Sequence, residues 1–260
     1  MRSFTRAVFA AAALVPSVLP AQDVVTRREA GLAAREARDA RAAVEHFEAA
    51  LAIDSSDYVA NWAAALSLID LGKMTPDSVP SRERDSLYAL AERFARRAVA
   101  VNPDDAEGHF ALAFAAGRAA LTKSKKERVR RAVEIRKEAM EAIRLDSTHD
   151  GAHHVLGRWH AEIKRLSSVE RFFAKAFLGG VELGKASWDE AIRNMEKSVA
   201  LNPRRITHRL DLAAIYVDRR RFADARTHLE QIASLPLIDH GDETLKADAA
   251  ALLERIRSRN

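Results

Sequence analysis

The sequence predicts an all-α protein, a tandem solenoid of about five antiparallel helix pairs with an inserted helix in the fourth pair and a C-terminal capping helix. Three observations predict this architecture. Only 10 of the 260 residues are glycine and 7 are proline, whereas strong helix formers are abundant. One pattern of small and large apolar residues returns along the chain, and a turn signal follows each copy. Self-similarity of this kind is typical of repeat proteins.

The repeated pattern lies in the second helix of each predicted pair, where small residues flank a larger apolar residue. Small side chains let two antiparallel helices approach closely, and this arrangement is typical of the tetratricopeptide repeat, which is about 34 residues long. Asp, Ser and Pro in the following turns either cap the next helix or cannot continue the preceding one. The copies are Ala43, Phe47, Ala50 and Ser55; Ala91, Ala95, Ala98 and Pro103; Ala139, Ala142 and Ser147; Ala191, Met195, Ser198 and Pro203; and Ala225, Leu229, Ile232 and Leu237.

The N-terminus has the features of a secretory signal. Arg2 and Arg6 precede a short apolar run at residues 7–18, and Leu19-Pro20-Ala21 offers a cleavage point. The run is short and interrupted by proline, so it is poorly suited to span a bilayer. The sequence therefore predicts a signal peptide (1–21), a single solenoid domain (22–260), and a protein that is exported to the periplasm or the medium. The alternatives are an uncleaved anchor and a buried helix.

The composition of the chain excludes several kinds of site and makes some kinds of partner unexpected. The chain has no cysteine, which excludes disulfides, thiolate metal sites and cysteine nucleophiles. Its formal charge is +5, from 42 basic and 37 acidic residues spread along the chain, and we expect no nucleic-acid partner. The basic run at 123–131 is interpreted as solvated surface. The alternative is a site for anionic lipid headgroups, which would bring the protein to a membrane surface.

The fourth repeat is interrupted by an insertion of about 22 residues within the segment 161–186. Inside it, Ser167-x-x-Glu170 has the form of a capping box at the start of a helix. Helical spacing then places apolar residues on one face of that helix, namely Val169, Phe172, Phe173, Ala176 and Phe177. Two hypotheses stay open. The helix is either a fixed plug in the local core or a lid over a ligand.

The order of elements around the insertion resembles the regulator of microtubule dynamics proteins. The matching residues are His153, Leu156, Gly157 and Trp159, then Leu166-Ser167, Glu170-Arg171 and Asp189-Glu190-Ala191. The resemblance covers roughly residues 24–257 and implies an all-helical, tetratricopeptide-like domain. It also implies the roles linked to that family, which are microtubule association and, in some members, organelle contact sites and phospholipid binding or transfer. This chain departs from the family in carrying a bacterial-type export signal.

No motif in the sequence indicates catalysis. His149, His153, His154 and His160 form the densest ionisable cluster, but no Glu or Cys lies among them in a known ligand spacing such as HExxH. The GxSxG, P-loop and GxGxxG motifs are also absent from the sequence. We therefore predict no catalytic residue, no metal site and no cofactor.

The first helices of the repeats are expected to line a concave groove, through which tetratricopeptide domains usually bind. Alignment of the units places Arg28, Leu32, Trp62, Leu66, Phe110, Phe114, His154, Arg158 and Leu210 on that face, and Phe173 of the inserted helix is expected to cover it. The sequence thus predicts a non-catalytic scaffold that binds a protein partner through the groove. The alternatives are a carrier of a lipid or other apolar ligand, and an enzyme of unrecognised type.

Overall fold

A computed structural model describes residues 18–77, 79–121, 123–167 and 180–259, and every regular element in these ranges is a helix. The helices are α1 (Val18–Glu36), α2 (Ala40–Ile53), α3 (Tyr58–Lys73), α4 (Arg82–Val101), α5 (Ala106–Ala120), α6 (Lys125–Leu145), α7 (Asp150–Arg165), α8 (Gly180–Leu183), α9 (Trp188–Leu201), α10 (Ile206–Asp218), α11 (Phe222–Ile232) and α12 (Asp242–Arg255). α1 pairs with α2, α3 with α4, α5 with α6, α7 with α9 and α10 with α11, while α12 packs on the last pair. The predicted all-α solenoid is confirmed.

The helices begin where the sequence places capping side chains. The carboxylates of Asp57 and Asp105 accept from the backbone N–H groups of Ala60 and Glu107, so each satisfies an otherwise unpaired donor in the first helical turn. Within two of the helix pairs the chain instead turns through a left-handed residue. These residues are Arg38 (φ 61°) and Arg220 (φ 57°), which adopt a conformation that glycine enters more easily.

The small residues of the repeat pattern lie at the closest contacts between helices. In the second helix of each pair, every small residue of the pattern is 0% exposed. These residues are Ala43, Ala50, Ala91, Ala95, Ala98, Ala139, Ala142, Ala191, Ser198 and Ala225. In the first pair, a Cβ added at Gly31 would stand 2.6 Å from the Phe47 ring. The chain therefore needs small residues there because a larger side chain would separate the paired helices.

The two ends of the solenoid meet. The linker between α11 and α12 returns to the turn between α1 and α2, where the Arg38 guanidinium donates a hydrogen bond of 2.9 Å to the Leu237 carbonyl. Asp239 of the same linker binds Arg205, at the start of α10, at 3.0 Å. These contacts therefore close the inner face on the side of the linker, where Arg38, Arg205 and Asp239 line a pocket.

The fourth helix pair differs from the expectations at two points. α7 continues to Arg165, beyond the expected start of the insertion at residue 161. The tetratricopeptide pattern predicts that Gly157 and Trp159 both lie at the contact between the two helices of this pair, opposite Ala191. This is right for Gly157 and wrong for Trp159, whose Nε1 donates a hydrogen bond of 2.6 Å to the Ala132 carbonyl of α6. Two residues on a helix are separated by about 200° around its axis, so positions 157 and 159 face different neighbours.

Gly157→Leu is expected to lower the free energy of unfolding by about 1–3 kcal/mol, because the contact has no space for a side chain. Already a Cβ would meet Met195 Cγ at 2.8 Å and the Ala191 carbonyl oxygen at 3.1 Å. Denaturant unfolding of the variant measures the change. Gly117→Leu is the matched control, since a Cβ there meets nothing within 4 Å. Equal unfolding midpoints for the two variants would contradict the packing of α7 on α9.

Two expectations from the sequence fall outside the described residues. These are the signal peptide, of which residues 1–17 are not described, and the apolar face of Phe172, Phe173 and Phe177, so the plug and lid hypotheses stay predictions. α1 begins at Val18, before the expected cleavage point at Ala21. None of the helices in the described part of the chain combines the length and the apolar character that crossing a membrane requires.

Candidate functional site

Two adjoining cavities lie on the inner face of the part of the solenoid that the structure describes. The first, here called the cleft, has a volume of about 930 Å³ and lies among the C-terminal halves of α5 and α7 and the N-terminal half of α6. The second, here called the central pocket, has a volume of about 140 Å³. It lies between the first helices of the helix pairs and the linker before α12. Phe114 and His154 line both, so the two cavities adjoin.

The predicted groove residues divide between these cavities. Leu66, Phe110, Phe114 and His154 line the central pocket, and Arg158 joins Phe114 and His154 in the cleft. Leu66, Phe110 and His154 are buried, whereas the Arg158 side chain is 44% exposed. The remaining ones, Arg28, Leu32, Trp62 and Leu210, line neither cavity: Arg28 pairs with Asp57 at 3.0 Å, and the other three pack against core clusters.

The walls of the cleft are mainly apolar, and its rim is cationic. Apolar side chains of α6, of α7 and of the residue that follows α7 form much of the walls, namely Val129, Ala132, Ile135, Val155, Trp159, Ile163 and Leu166. Basic residues around them are Arg118, Lys126, Arg128, Arg130 and Arg158, and Glu162 is the acidic residue of the lining. Cavities of about 300–1,000 Å³ with this composition are typical of sites for small or extended apolar ligands.

The central pocket is polar. Its charged lining has four basic residues, Arg35, Arg38, Lys73 and Arg205, and two acidic ones, Asp70 and Asp239. Both acids are paired, since Lys73 Nζ lies 3.0 Å from Asp70 and Arg205 Nε lies 3.0 Å from Asp239. The Phe110 and Phe114 rings, stacked 5.7 Å apart, supply an apolar wall.

A polar network separates the cavities from the core. His154 Nε2 lies 2.8 Å from Asp211 Oδ2, and Arg158 lies 3.4 Å from the same oxygen. Desolvation alone would raise the pKa of Asp211, but Arg158 and the bond to His154 hold it below its usual value. The His154 ring also stacks on His208, 4.7 Å away. Burial lowers the pKa of His154 and lowers that of His208 to about 2, which favours the neutral form of both imidazoles.

Sequence reasoning identified His154 but missed His208 and Asp211. The one signal for them is the presence of a histidine and an aspartate among the apolar residues of α10. His208 also contacts Ser198, with Nδ1 2.8 Å from the hydroxyl oxygen. A hydroxyl beside an imidazole can form a nucleophile, but Ser198 is 0% exposed, so no substrate reaches it. This pair is part of the scaffold.

The histidine cluster of the sequence disperses in the fold. His149 caps α7, His153 lies 3.0 Å from Asn194 Oδ1, and His160 accepts from the Ser187 N–H at 3.3 Å. The four imidazoles thus have separate partners. Over the residues that the structure describes, no three His, Asp or Glu side chains are grouped as ligands for a metal ion.

Comparison with known proteins agrees with this architecture. Residues 28–257 match the family described as Regulator of microtubule dynamics protein 1-3. The fold is similar to a thermophilic TPR protein of Thermus thermophilus, with 18% identity, a TM-score of 0.63, and coverage of 88% of this chain and 99% of the other. It is also similar to PilF of Pseudomonas aeruginosa, with 16% identity, a TM-score of 0.53, and coverage of 91% and 93%. Comparison with curated proteins gives no match.

Proposed function

The chain belongs to the regulator of microtubule dynamics family, and on that premise we propose that it is a non-catalytic binding protein that holds a segment of a partner protein in its concave groove. The observation that carries the proposal is the pair of adjoining cavities on the inner face, which join at Phe114 and His154. An extended peptide can follow such a path. Its apolar side chains would enter the cleft and its polar groups would meet the central pocket.

The groove is suited to binding because its walls are held by the scaffold. Phe110 and Phe114 stack on each other, Arg118 is fixed by Asp77 at 2.9 Å, and Arg158 is fixed by Asp211. Side chains that are already ordered lose little conformational entropy when a ligand binds, which favours affinity. Aromatic and arginine side chains in partly enclosed positions are also the residue types that dominate interface energies.

We propose further that the protein acts outside the cytoplasm. The signal peptide expected at residues 1–21 supports binding outside the cytoplasm, so the partner is sought among exported proteins. N-terminal sequencing of the mature protein is expected to begin near Gln22. Recovery of Met1 from a soluble cytoplasmic form would contradict this compartment.

Phe114→Ala is expected to reduce retention of the partner at least about tenfold, because Phe114 lines both cavities. The immobilised wild-type protein and its variants are compared for proteins retained from a bacterial envelope extract, quantified by mass spectrometry. Val101→Ala is the matched control, an apolar truncation at the end of α4 where the side chain is 41% exposed. A partner that all three proteins retain equally would place the interface outside the groove and overturn the proposal.

A second candidate, favoured by the volume of the cleft, is a carrier of an apolar ligand. A cavity of about 930 Å³ with apolar walls and a cationic rim fits an acyl chain with an anionic head, whether a fatty acid or a phospholipid. Val129→Lys would place a charge in the apolar wall and is expected to abolish binding of a fluorescent fatty acid. Met140→Lys on the same helix, at a site 43% exposed, is the control. No saturable binding by the wild type would exclude the carrier.

A further inference from the structure

Arg35 is a half-buried cation without a carboxylate partner. Its Nη1 donates to the Ser67 hydroxyl at 3.1 Å and to the Ala63 carbonyl at 3.3 Å, and both acceptors are neutral. Among the described residues, no acceptor lies within hydrogen-bond distance of the other guanidinium donors of Arg35, and no carboxylate forms a salt bridge with it. Arg158 and Arg205, by contrast, each pair with an aspartate.

The surroundings do not neutralise this charge. Burial of Arg35 lowers its pKa, and the carboxylates of Asp70, Glu107 and Asp239 offset this effect only in part. Asp70 and Asp239 line the pocket but are already paired with Lys73 and Arg205, so Arg35 and Arg38 leave the lining of the central pocket with excess positive charge. A cation that is partly removed from water and left unpaired is unfavourable, and an anion that enters the pocket would relieve that cost.

We infer that the central pocket binds a carboxylate through Arg35, an inference that rests on the proposed function because the carboxylate is taken to belong to the bound partner segment. A planar carboxylate matches the two-pronged guanidinium and can accept two of its free donors at once. A phosphate dianion fits less well, because it would meet Asp70 and Asp239 in a cavity of about 140 Å³. The Phe110 and Phe114 wall suits an apolar side chain next to the carboxylate.

Two sources of the carboxylate have the same chemistry, the C-terminus of a peptide and an internal acidic side chain. Three probes distinguish them: acetyl-Gly-Leu-Phe with a free carboxylate, its C-terminal amide, and acetyl-Leu-Glu-Phe amide. The Arg35 Nε–H resonance of the full chain is followed by NMR during titration with each peptide. Sodium acetate is titrated in the same way against sodium chloride at equal ionic strength.

The Arg35 resonance is expected to shift saturably with acetate and with at least one carboxylate peptide. Chloride and the C-terminal amide, which has no carboxylate, are expected to shift it only weakly. Arg35→Gln is expected to weaken the binding of the preferred peptide at least tenfold, measured at the Ser67 backbone amide. Arg41→Gln removes the same charge from an exposed position on α2 and is expected to change binding less than twofold.

No response of Arg35 to acetate or to either carboxylate peptide would overturn the inference, and so would equal binding by wild type and Arg35→Gln. The measurement is independent of the partner-retention assay. Loss of retention in Phe114→Ala without a carboxylate response at Arg35 would leave the proposed function standing and remove only this inference. Carboxylate binding at Arg35, without any partner whose retention depends on Phe114, would remove the proposed function and leave the carboxylate site standing.

Discussion

Glu138→Ala is expected to lower the free energy of unfolding by about 3 kcal/mol, because it removes one partner of a buried hydrogen-bonded pair. Its carboxylate is buried between α5 and α6, with Oε2 2.6 Å from His109 Nδ1. The other ring nitrogen of His109 lies 2.8 Å from the Pro103 carbonyl, so one imidazole connects both helices to the turn before α5. Removal of the carboxylate leaves a buried ring nitrogen without its partner, which is costly in a dry environment.

Glu141→Ala on the same helix is the matched control. Its carboxylate also forms a short ion pair, with Arg144 at 2.6 Å, but that pair is at the surface, and its loss is expected to change the free energy of unfolding much less than the loss of Glu138 does. Urea unfolding of both variants gives the comparison. Similar losses in the two variants would mean that the His109 contact does not hold α5, which carries Phe110 and Phe114 of the groove.

The pair architecture could be predicted from the sequence because its determinants are local. Ala91, Ala95 and Ala98 recur at helical spacing, and the fold buries each of them completely. The pattern predicts Trp159 on the same face as Gly157, but two residues turn a helix by about 200°, so Trp159 contacts α6 instead. The pattern of residue types was therefore sufficient for the repeats but not for the direction of every side chain.

The candidate site was predicted only in part, because much of it depends on contacts between distant segments. Phe110, Phe114 and Arg158 follow from repeat alignment and do line the cavities. The His154–Asp211 bond joins residues 57 positions apart, and the Arg38–Leu237 bond joins residues 199 positions apart. No sequence pattern specifies how far a superhelix turns, so neither contact nor the pocket around Arg35 could be derived in advance.

A decrease in pH below about 6.5 is expected to destabilise the fold steeply, because buried histidines resist protonation. Desolvation lowers the pKa of His208 to about 2 and that of His160 to about 4, and the pKa of His154 is lowered as well. The groups that face His208 are His154, Arg205, Asp211 and Asp150, and together they do not reverse the effect of burial. Among the described histidines, His149 opposes the trend, since its pKa is raised beside Glu107.

Proton linkage determines whether the free energy of unfolding rises or falls with pH. Unfolded histidine takes up a proton near pH 6.5, whereas these folded histidines do not, so their contribution is intact above pH 6.5 and is lost as the pH falls. Each such histidine lowers the free energy of unfolding by about 1.4 kcal/mol per pH unit until its folded pKa is reached. Between pH 6.5 and 4, His208 therefore removes about 3 kcal/mol, a large part of a typical domain stability, and the less enclosed His160 removes less.

His208→Gln tests this expectation, since glutamine retains a polar group near Ser198 but does not titrate. Unfolding free energies are measured by urea titration from pH 7.5 to pH 4 for the wild type and the variant. The difference at pH 7.5 gives the cost of altered packing. Below pH 6.5 the variant's curve is expected to fall less steeply, by about 1.4 kcal/mol per pH unit. Parallel curves over the whole range would mean that His208 is not a buried neutral imidazole, and that the network behind the groove is hydrated.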